Sequence, residues 1–539
     1  MVLLRLFVFL LTFSLFSCST GRNANKEKGF LRIKDQAFVD SDGRQVILSG
    51  INFISKEPTE KYMPSDGVET FKQFADWGFN CIRFGIIWDG LEPVPGQYNE
   101  DYLKEIDKRI EWATQNGLYV YLDMHQDLYS VRFADGAPAW ATLDEGKEHI
   151  SGPVWSDAYL ISPAVQTAFD NFWANAPASD GIGLQDHYAN LWKHIAKRYA
   201  NNPTVIGYDI MNEPFMGSAA NQVMPLMLGA YAQILAEETG QAPPSPQELE
   251  AMWADEASRL KAYDLISTSD KYSKVADAVY EVSANFEKNS LMPMYQKVAN
   301  AIREVDLNHI LFFNHNYFVN MGVASALEGT RLPDGSRDSL VAYSAHGYDL
   351  VVDTKEVENP SYERVEFIFN RIAEGGKRMG MPVLLGEWGA LHGNSPQMVK
   401  TAQHLVQQIE KHNFSNSYWA YYKNIGDFQY FQNAIVRPYP QAVSGSLISY
   451  HFDFNTGKFN MSWREDASIQ APTVIYLPWL SSISDVVMIE PESEKLETEQ
   501  IKGSKAGRLV IPPTGKGGLR TASFQVVRQE NTSYQIPNN

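Results

Sequence analysis

The chain has 539 residues, 44% of them hydrophobic and 20% charged, the proportions of a soluble globular protein too long for one ordinary domain. A formal net charge of −18 argues against a nucleic-acid partner, whose phosphates such a surface repels. Aromatic residues reach 12%, which suits flat sugar-binding faces and a large core equally well.

Taken in chain order, the first element is a targeting segment. Arg5 precedes the apolar run LFVFLLTFSLFS (6–17), too short to span a bilayer as a mature helix, so residues 1–17 read as a signal peptide. The sequence LFSC at 15–18 resembles a bacterial lipobox, in which Cys18 would become the lipidated first residue, with the small, polar stretch 18–29 as its tether. The expected placement is therefore export as a lipoprotein held at a membrane and facing the periplasm or cell surface. If Cys18 is not acylated, secretion is the alternative. Cys81 is then the only other cysteine, so the mature chain has no internal disulfide.

Residues 30–48 read as a hairpin able to plug the floor of a barrel. Eight apolar runs of strand length follow, at 46–52, 80–86, 118–125, 204–213, 309–316, 340–347, 382–387 and 417–422. They are nearly continuous rather than alternating, as in parallel strands buried on both faces. Helical periodicity fills the gaps. In 100–116, Leu103, Ile106, Ile110 and Ala113 form a stripe, Asn99 caps the start and Gly117 follows the end. The segments 188–200 and 396–412 have the same form, the latter capped by Ser395 with Pro396 in its first turn. The fold class expected is α/β: a (β/α)8 TIM barrel over 30–445, with long insertions at 126–187 and 214–306 on the catalytic face. Beyond it, short alternating runs with Gly, Asn and Pro turns predict a C-terminal antiparallel β-sandwich over 446–539.

Polar residues recur at the carboxyl ends of these strands, where barrel enzymes build their sites. They are Arg83, Asp123, His125, Asn212, Glu213, Asn314, His315, His346, Tyr348, Glu387 and Trp419. Two carboxylates, Glu213 and Glu387, suit glycosidic cleavage: one protonates the leaving oxygen while the other attacks the anomeric carbon or activates water. Arg83, if beside Glu387, would favour its charged form. No HxH, HExxH or clustered Cys/His spacing supports a metal hydrolase, and no cofactor or metal is expected.

At MNEP (211–214) and GEWGA (386–390) the chain resembles glycoside hydrolase family 5, a family of barrels in clan A. The stretches DMHQDLYS (123–130) and RPYPQAVSG (437–445) narrow the resemblance to the endoglycoceramidase-like branch. It implies Glu213 as acid/base and Glu387 as nucleophile. Lys56, Asp123, His125, Asn212, His346, Tyr348 and Trp419 would hold the sugar beside the scissile bond, with Arg83 in support. Trp388 departs from the pattern, in which Phe commonly follows the nucleophile. The implied activity is a retaining endo-β-glycosidase that releases oligosaccharide from ceramide, acting as a monomer. Alternatives are an exo-acting β-glucosylceramidase, an endo-β-1,4-glucanase, or a non-catalytic glycan-binding lipoprotein. The Met-rich insert (Met224, Leu226, Met227, Leu228, then Met292 and Met294) fits either a channel for a lipid or helix-to-helix packing.

Overall fold

The computed structural model describes residues 29–480, 483, 487–492 and 496–526. The apolar segment 6–17, Cys18 and most of the polar tether lie outside the described residues.

Eight parallel strands close into a barrel in sequence order: Ser49–Phe53, Cys81–Ile87, Tyr119–His125, Val205–Asp209, Ile310–Phe313, Val341–Gly347, Val383–Trp388 and Ser415–Tyr418. All are buried along their length except at Val383. Crossover helices cover the outside. Glu100–Gln115 buries Leu103, Ile106, Ile110 and Ala113, and the Asn99 side chain accepts from the Tyr102 N–H. The helices Leu184–Tyr199 and Pro396–Lys411 bury the same kind of stripe.

The strands end earlier than the apolar runs imply. The fourth leaves the ladder after Asp209, so Asn212 and Glu213 stand on the segment beyond it. Glu213 has φ +41°, the left-handed region that a non-glycine residue enters only when its surroundings compel it. This twist lets two neighbours in sequence, Asn212 and Glu213, both reach the cleft.

Leu31, Phe38, Val46 and Leu48 of the N-terminal hairpin pack with Cys81, Tyr121 and Phe312 as a separate cluster at the barrel floor. Cys81 is fully buried there. The hairpin also has a second use. Its strand Gln45–Val46 pairs with Tyr439–Val443, which joins it to a seven-stranded antiparallel sheet otherwise made from C-terminal strands. A four-stranded antiparallel sheet, including Gly445–Asp453, Lys458–Glu465 and Gly518–Gln525, completes the C-terminal unit. Inner residues such as Phe459, Trp463 and Phe524 alternate with exposed ones, as in sheets with one face on a core. The unit is tied to the barrel by a buried pair: Arg437 Nε donates to Glu410 Oε1 at 2.9 Å, and the Phe452 N–H donates to Glu410 Oε2 at 3.0 Å.

Both long insertions lie above the carboxyl ends of the strands. The one after the third strand carries helices Asp157–Ile161 and Pro163–Trp173. The one after the fourth carries five helices between Val223 and Phe286 before the crossover helix Met292–Arg303.

Candidate active site

Arg83, on the second strand, is fully buried and uses all five guanidinium N–H groups. Nε donates to Asp209 Oδ2 (2.9 Å), Nη1 to Asn52 Oδ1 (3.1 Å) and Glu387 Oε1 (2.6 Å), and Nη2 to Asp123 Oδ1 (2.8 Å) and Asn212 Oδ1 (2.9 Å). One cation on the second strand thus fixes side chains from strands one, three and seven and from the fourth strand and the segment beyond it. Asp209 also accepts from Asn314 Nδ2 (2.6 Å) and Ser344 Oγ (3.1 Å). Burial and the Asp123 charge push Asp209 up to about 7 despite Arg83. Asp123 goes the other way: Arg83 and His125 outweigh its burial and lower it.

The two glutamates face one another with His346 between them. His346 Nδ1 lies 2.9 Å from Glu213 Oε1 and 3.7 Å from Glu387 Oε2, and carboxyl oxygens of the two glutamates come within 4.8 Å. Burial lowers His346 to about 3, so the ring is neutral. With two carboxyl groups facing Nδ1, the tautomer carrying its proton there is favoured. Their surroundings differ. Glu387 accepts from Arg83 on one oxygen and from the Tyr348 hydroxyl (3.0 Å) on the other. Among the described residues no Lys or Arg pairs with Glu213. Burial first, and the Asp127 charge next, push it up to about 7, while Asn320 Nδ2 (2.6 Å from Oε1) pulls it back. Two carboxyl groups this close, one against a guanidinium and one with its protonated form favoured by burial, are equipped for a nucleophile and a proton donor.

The flank of the cleft is a relay of charges. Asp123 Oδ2 bonds His125 Nδ1 (2.8 Å), and Lys56 pairs with Asp127, with Asp135 3.9 Å away. Burial and Lys56 push His125 down, but its carboxylate neighbours push harder and it rises to about 10. Trp419 stacks on His125 (5.3 Å, 12°), and Lys56 Nζ sits 4.9 Å from the Trp419 ring centre. In the His125–Asp127–Asp135 cluster Lys56 and a protonated His125 already balance the two carboxylates, so it does not fit a metal centre.

Lys56, His125, Asn212, Glu213, Tyr348, Glu387 and Trp419 line one cavity of about 610 Å³. Asp123, His346 and Arg83 are not among its lining residues: Asp123 and His346, expected to hold the sugar, contact His125 and the glutamates instead. Asn314 accepts the Glu213 N–H (3.3 Å), and His315 bonds backbone groups at Asn316 and His346; neither lines the cavity, and both support residues around it. Trp388 is fully buried, donates to Asn416 Oδ1 (3.1 Å) and does not line the cavity, so its departure from Phe leaves the cleft untouched.

The same cavity continues into an apolar arm. Met224, Met227, Leu228 and Tyr231, one face of the helix Val223–Thr239, line it opposite Phe318, Met321 and Leu350. The Met-rich insert therefore divides: Met224, Met227 and Leu228 form channel wall, Met294 is core, and Leu226 is exposed. Asn52, Asp209 and Asn320 were missing from the residues picked out in the sequence.

A closed parallel barrel with this pair of glutamates at the strand ends defines a glycoside hydrolase. The chain belongs to glycosyl hydrolase family 5: residues 39–425 match its cellulase family, and 437–507 match the glycoside hydrolase family 5 C-terminal domain. An endoglycoceramidase of Cyanea nozakii is 26% identical over 480 residues, 79% of this chain and 80% of that protein. Endoglycoceramidase I of Rhodococcus hoagii (strain 103S) is 32% identical over 184 residues, 33% of this chain and 36% of that one. Among solved structures, endo-glycoceramidase II from Rhodococcus sp. in its ganglioside GM3 complex matches with a TM-score of 0.70 at 25% identity, covering 92% of this chain and 100% of that one.

Proposed function

We propose that the protein is a retaining endo-β-glycosidase that hydrolyses the bond between oligosaccharide and ceramide in glycosphingolipids. The observation that carries this reading is the single cavity joining a polar end, with Lys56, His125 and Trp419, to an apolar arm, with Glu213 and Glu387 at their junction. A glycan and a lipid tail need walls of those two kinds, and the reacting bond belongs where they meet. Glu387 attacks the anomeric carbon to form a glycosyl-enzyme, and Glu213 protonates the departing oxygen. Glu213, then ionised, takes a proton from the water that cleaves the intermediate. Carboxyl oxygens of the two groups lie within 4.8 Å of each other, close to the spacing of about 5–5.5 Å in retaining pairs and short of the roughly 6.5–9.5 Å of inverting ones, which supports retention. The similarity to endoglycoceramidases supports the same substrate class.

Incubation with a defined glycosphingolipid tests this. Intact oligosaccharide plus ceramide is the expected product pair. Stepwise loss of terminal sugars would instead identify an exo-acting enzyme, and turnover of β-glucan alone an endoglucanase.

For the cellular setting, we propose an exported lipoprotein acylated at Cys18 and working as a monomer. The apolar run 6–17, LFSC at 15–18 and the polar stretch after it support the anchor. A tethered cleft gains local concentration of lipid substrate. Cys18→Ala should move the protein from the membrane fraction to the soluble one, and equal membrane retention would refute the anchor. Sedimentation checks the monomer.

A further inference from the structure

We infer that Asn320 is a positioning residue for the reaction: with His346 it fixes the acid proton of Glu213 on Oε2 and holds Oε1 ready for the negative charge left when that proton departs. The inference rests on the assignment of Glu213 as acid/base.

The geometry is specific to one oxygen. Asn320 Nδ2 and His346 Nδ1 both reach Glu213 Oε1, at 2.6 and 2.9 Å. An oxygen already taking two N–H donors is the poor place for a third hydrogen, so the carboxylic proton belongs on the other. Among the described residues no protein donor reaches Oε2, and it is not among the buried atoms left without a partner. It is thus the oxygen open to the cavity that Glu213 lines. A glycosidic oxygen in the cleft meets the proton there.

Asn320 stands on the single turn Tyr317–Met321 after the fifth strand, between Phe318 and Met321 of the apolar arm. Its backbone carbonyl accepts the N–H of Tyr348, whose hydroxyl touches Glu387, so one short segment braces both glutamates. The side chain is 5% exposed, and among the described residues its buried Oδ1 has no hydrogen-bond partner. An asparagine kept for packing alone would have both ends of its amide paired. This one leaves its acceptor unpaired and aims its donor at Glu213. The reverse amide orientation would set two acceptors against each other once Glu213 ionises.

Other groups also face Glu213. Asp127 and His125 act from the third strand and its loop, and Arg83 from the second strand. His346 and Tyr348 approach from the sixth strand, Glu387 from the seventh, and Tyr317 and Tyr159 from the connecting segments. Burial and Asp127 raise the carboxyl, whereas the Asn320 donor stabilises its charged form. Removing that donor must raise it further.

The test compares Asn320→Ala with Asn320→Asp, an isostere that replaces the N–H donor by an acceptor. On a glycosphingolipid, kcat/KM should fall about tenfold in the alanine variant and further in the aspartate one. The basic limb of the pH profile should move up in both. With an activated aryl β-lactoside, whose turnover is limited by the second step, the acidic limb should move up as well, because Glu213 must then be ionised. Packing alone would rank aspartate above alanine and leave both limbs in place, and either result overturns the inference. Circular dichroism establishes that each variant is folded. Azide rescue of Glu213→Ala, run alongside, separates the two claims: its failure counts against the role of Glu213, whereas successful rescue with unmoved limbs in the Asn320 variants counts against Asn320.

Discussion

Arg83 Nη1 lies 2.6 Å from Glu387 Oε1, and the other four N–H groups of the same guanidinium are committed to Asn52, Asp123, Asp209 and Asn212. Lysine carries the charge but has three donors on a point, not five on a planar fork. Arg83→Lys should therefore leave buried carboxylates without partners. We expect about 3–5 kcal/mol lost from the unfolding free energy and a fall in kcat/KM of at least about a hundredfold, since the nucleophile loses its orientation. Urea unfolding and steady-state kinetics at one pH check both numbers.

The apolar arm predicts a split between substrates. Met227 and Leu228 line it from the helix Val223–Thr239. Met227→Glu with Leu228→Asn should raise KM for a long-chain glycosphingolipid at least about tenfold, the loss expected when apolar burial of this size is forfeited. An aryl β-lactoside, which has no tail, should keep its kcat/KM within about twofold. Equal losses on both substrates would show that the helix supports the cleft rather than the lipid.

Burial of Glu213 also predicts how stability depends on pH. Its carboxyl rises from an ordinary 4.5 to about 7 in the folded protein, so folding favours the protonated form. That contribution is fully present below 4.5 and is lost as pH rises through 7. Between pH 5 and 8 the wild type should lose on the order of 2–3 kcal/mol through this group, a loss that Glu213→Gln cannot show. Relative to wild type, the variant should gain stability steadily over that interval in denaturant titrations. A flat difference would mean that the carboxyl is not strained by burial.

What was legible in the sequence was set by local pattern. The eight strands could be read because strands buried on both faces leave unbroken apolar runs, and MNEP and GEWGA placed the two glutamates at their ends. Asp209 carried a visible signal, an acid inside the run 204–213, but its partners Arg83, Asn314 and Ser344 lie on other strands and only the closed barrel gathers them. Asn52, closing the run 46–52, likewise meets Arg83 only across the folded barrel. Asn320 gave no signal, because the turn that carries it has no periodicity and its partner lies 107 residues away in sequence. The pairing of Gln45–Val46 with Tyr439–Val443 was equally out of reach: both are ordinary strand-formers, and only the closed barrel brings the two ends together. For the helix Val223–Thr239, composition alone could not choose between channel and core, because Met and Leu serve both. The face turned to the cavity decides it.

The two glutamates give the sharpest prediction because their roles fail differently. Glu387→Ser removes the nucleophile, so no glycosyl-enzyme forms and hydrolysis should drop on the order of 10⁴–10⁶-fold, with substrate binding kept. The cavity it leaves lies against Arg83 and Tyr348. A glycosyl fluoride of inverted anomeric configuration should fit there as a stand-in for the missing intermediate, and the variant should then join sugar to an acceptor alcohol. Glu213→Ala removes the proton donor instead. Turnover should fall steeply on natural substrates, whose alkoxide leaves poorly without protonation, and much less in the first step with an activated aryl leaving group. Azide, which needs no base to attack the glycosyl-enzyme, should restore turnover of this variant and yield a β-glycosyl azide, because two inversions retain configuration. Azide entering the space left by Glu387→Ala should displace the leaving group once and give the α product. The anomer formed by each variant, read by NMR, therefore assigns the roles directly. A β product from the Glu387 variant and an α product from the Glu213 variant would mean that the guanidinium of Arg83 marks the acid and not the nucleophile.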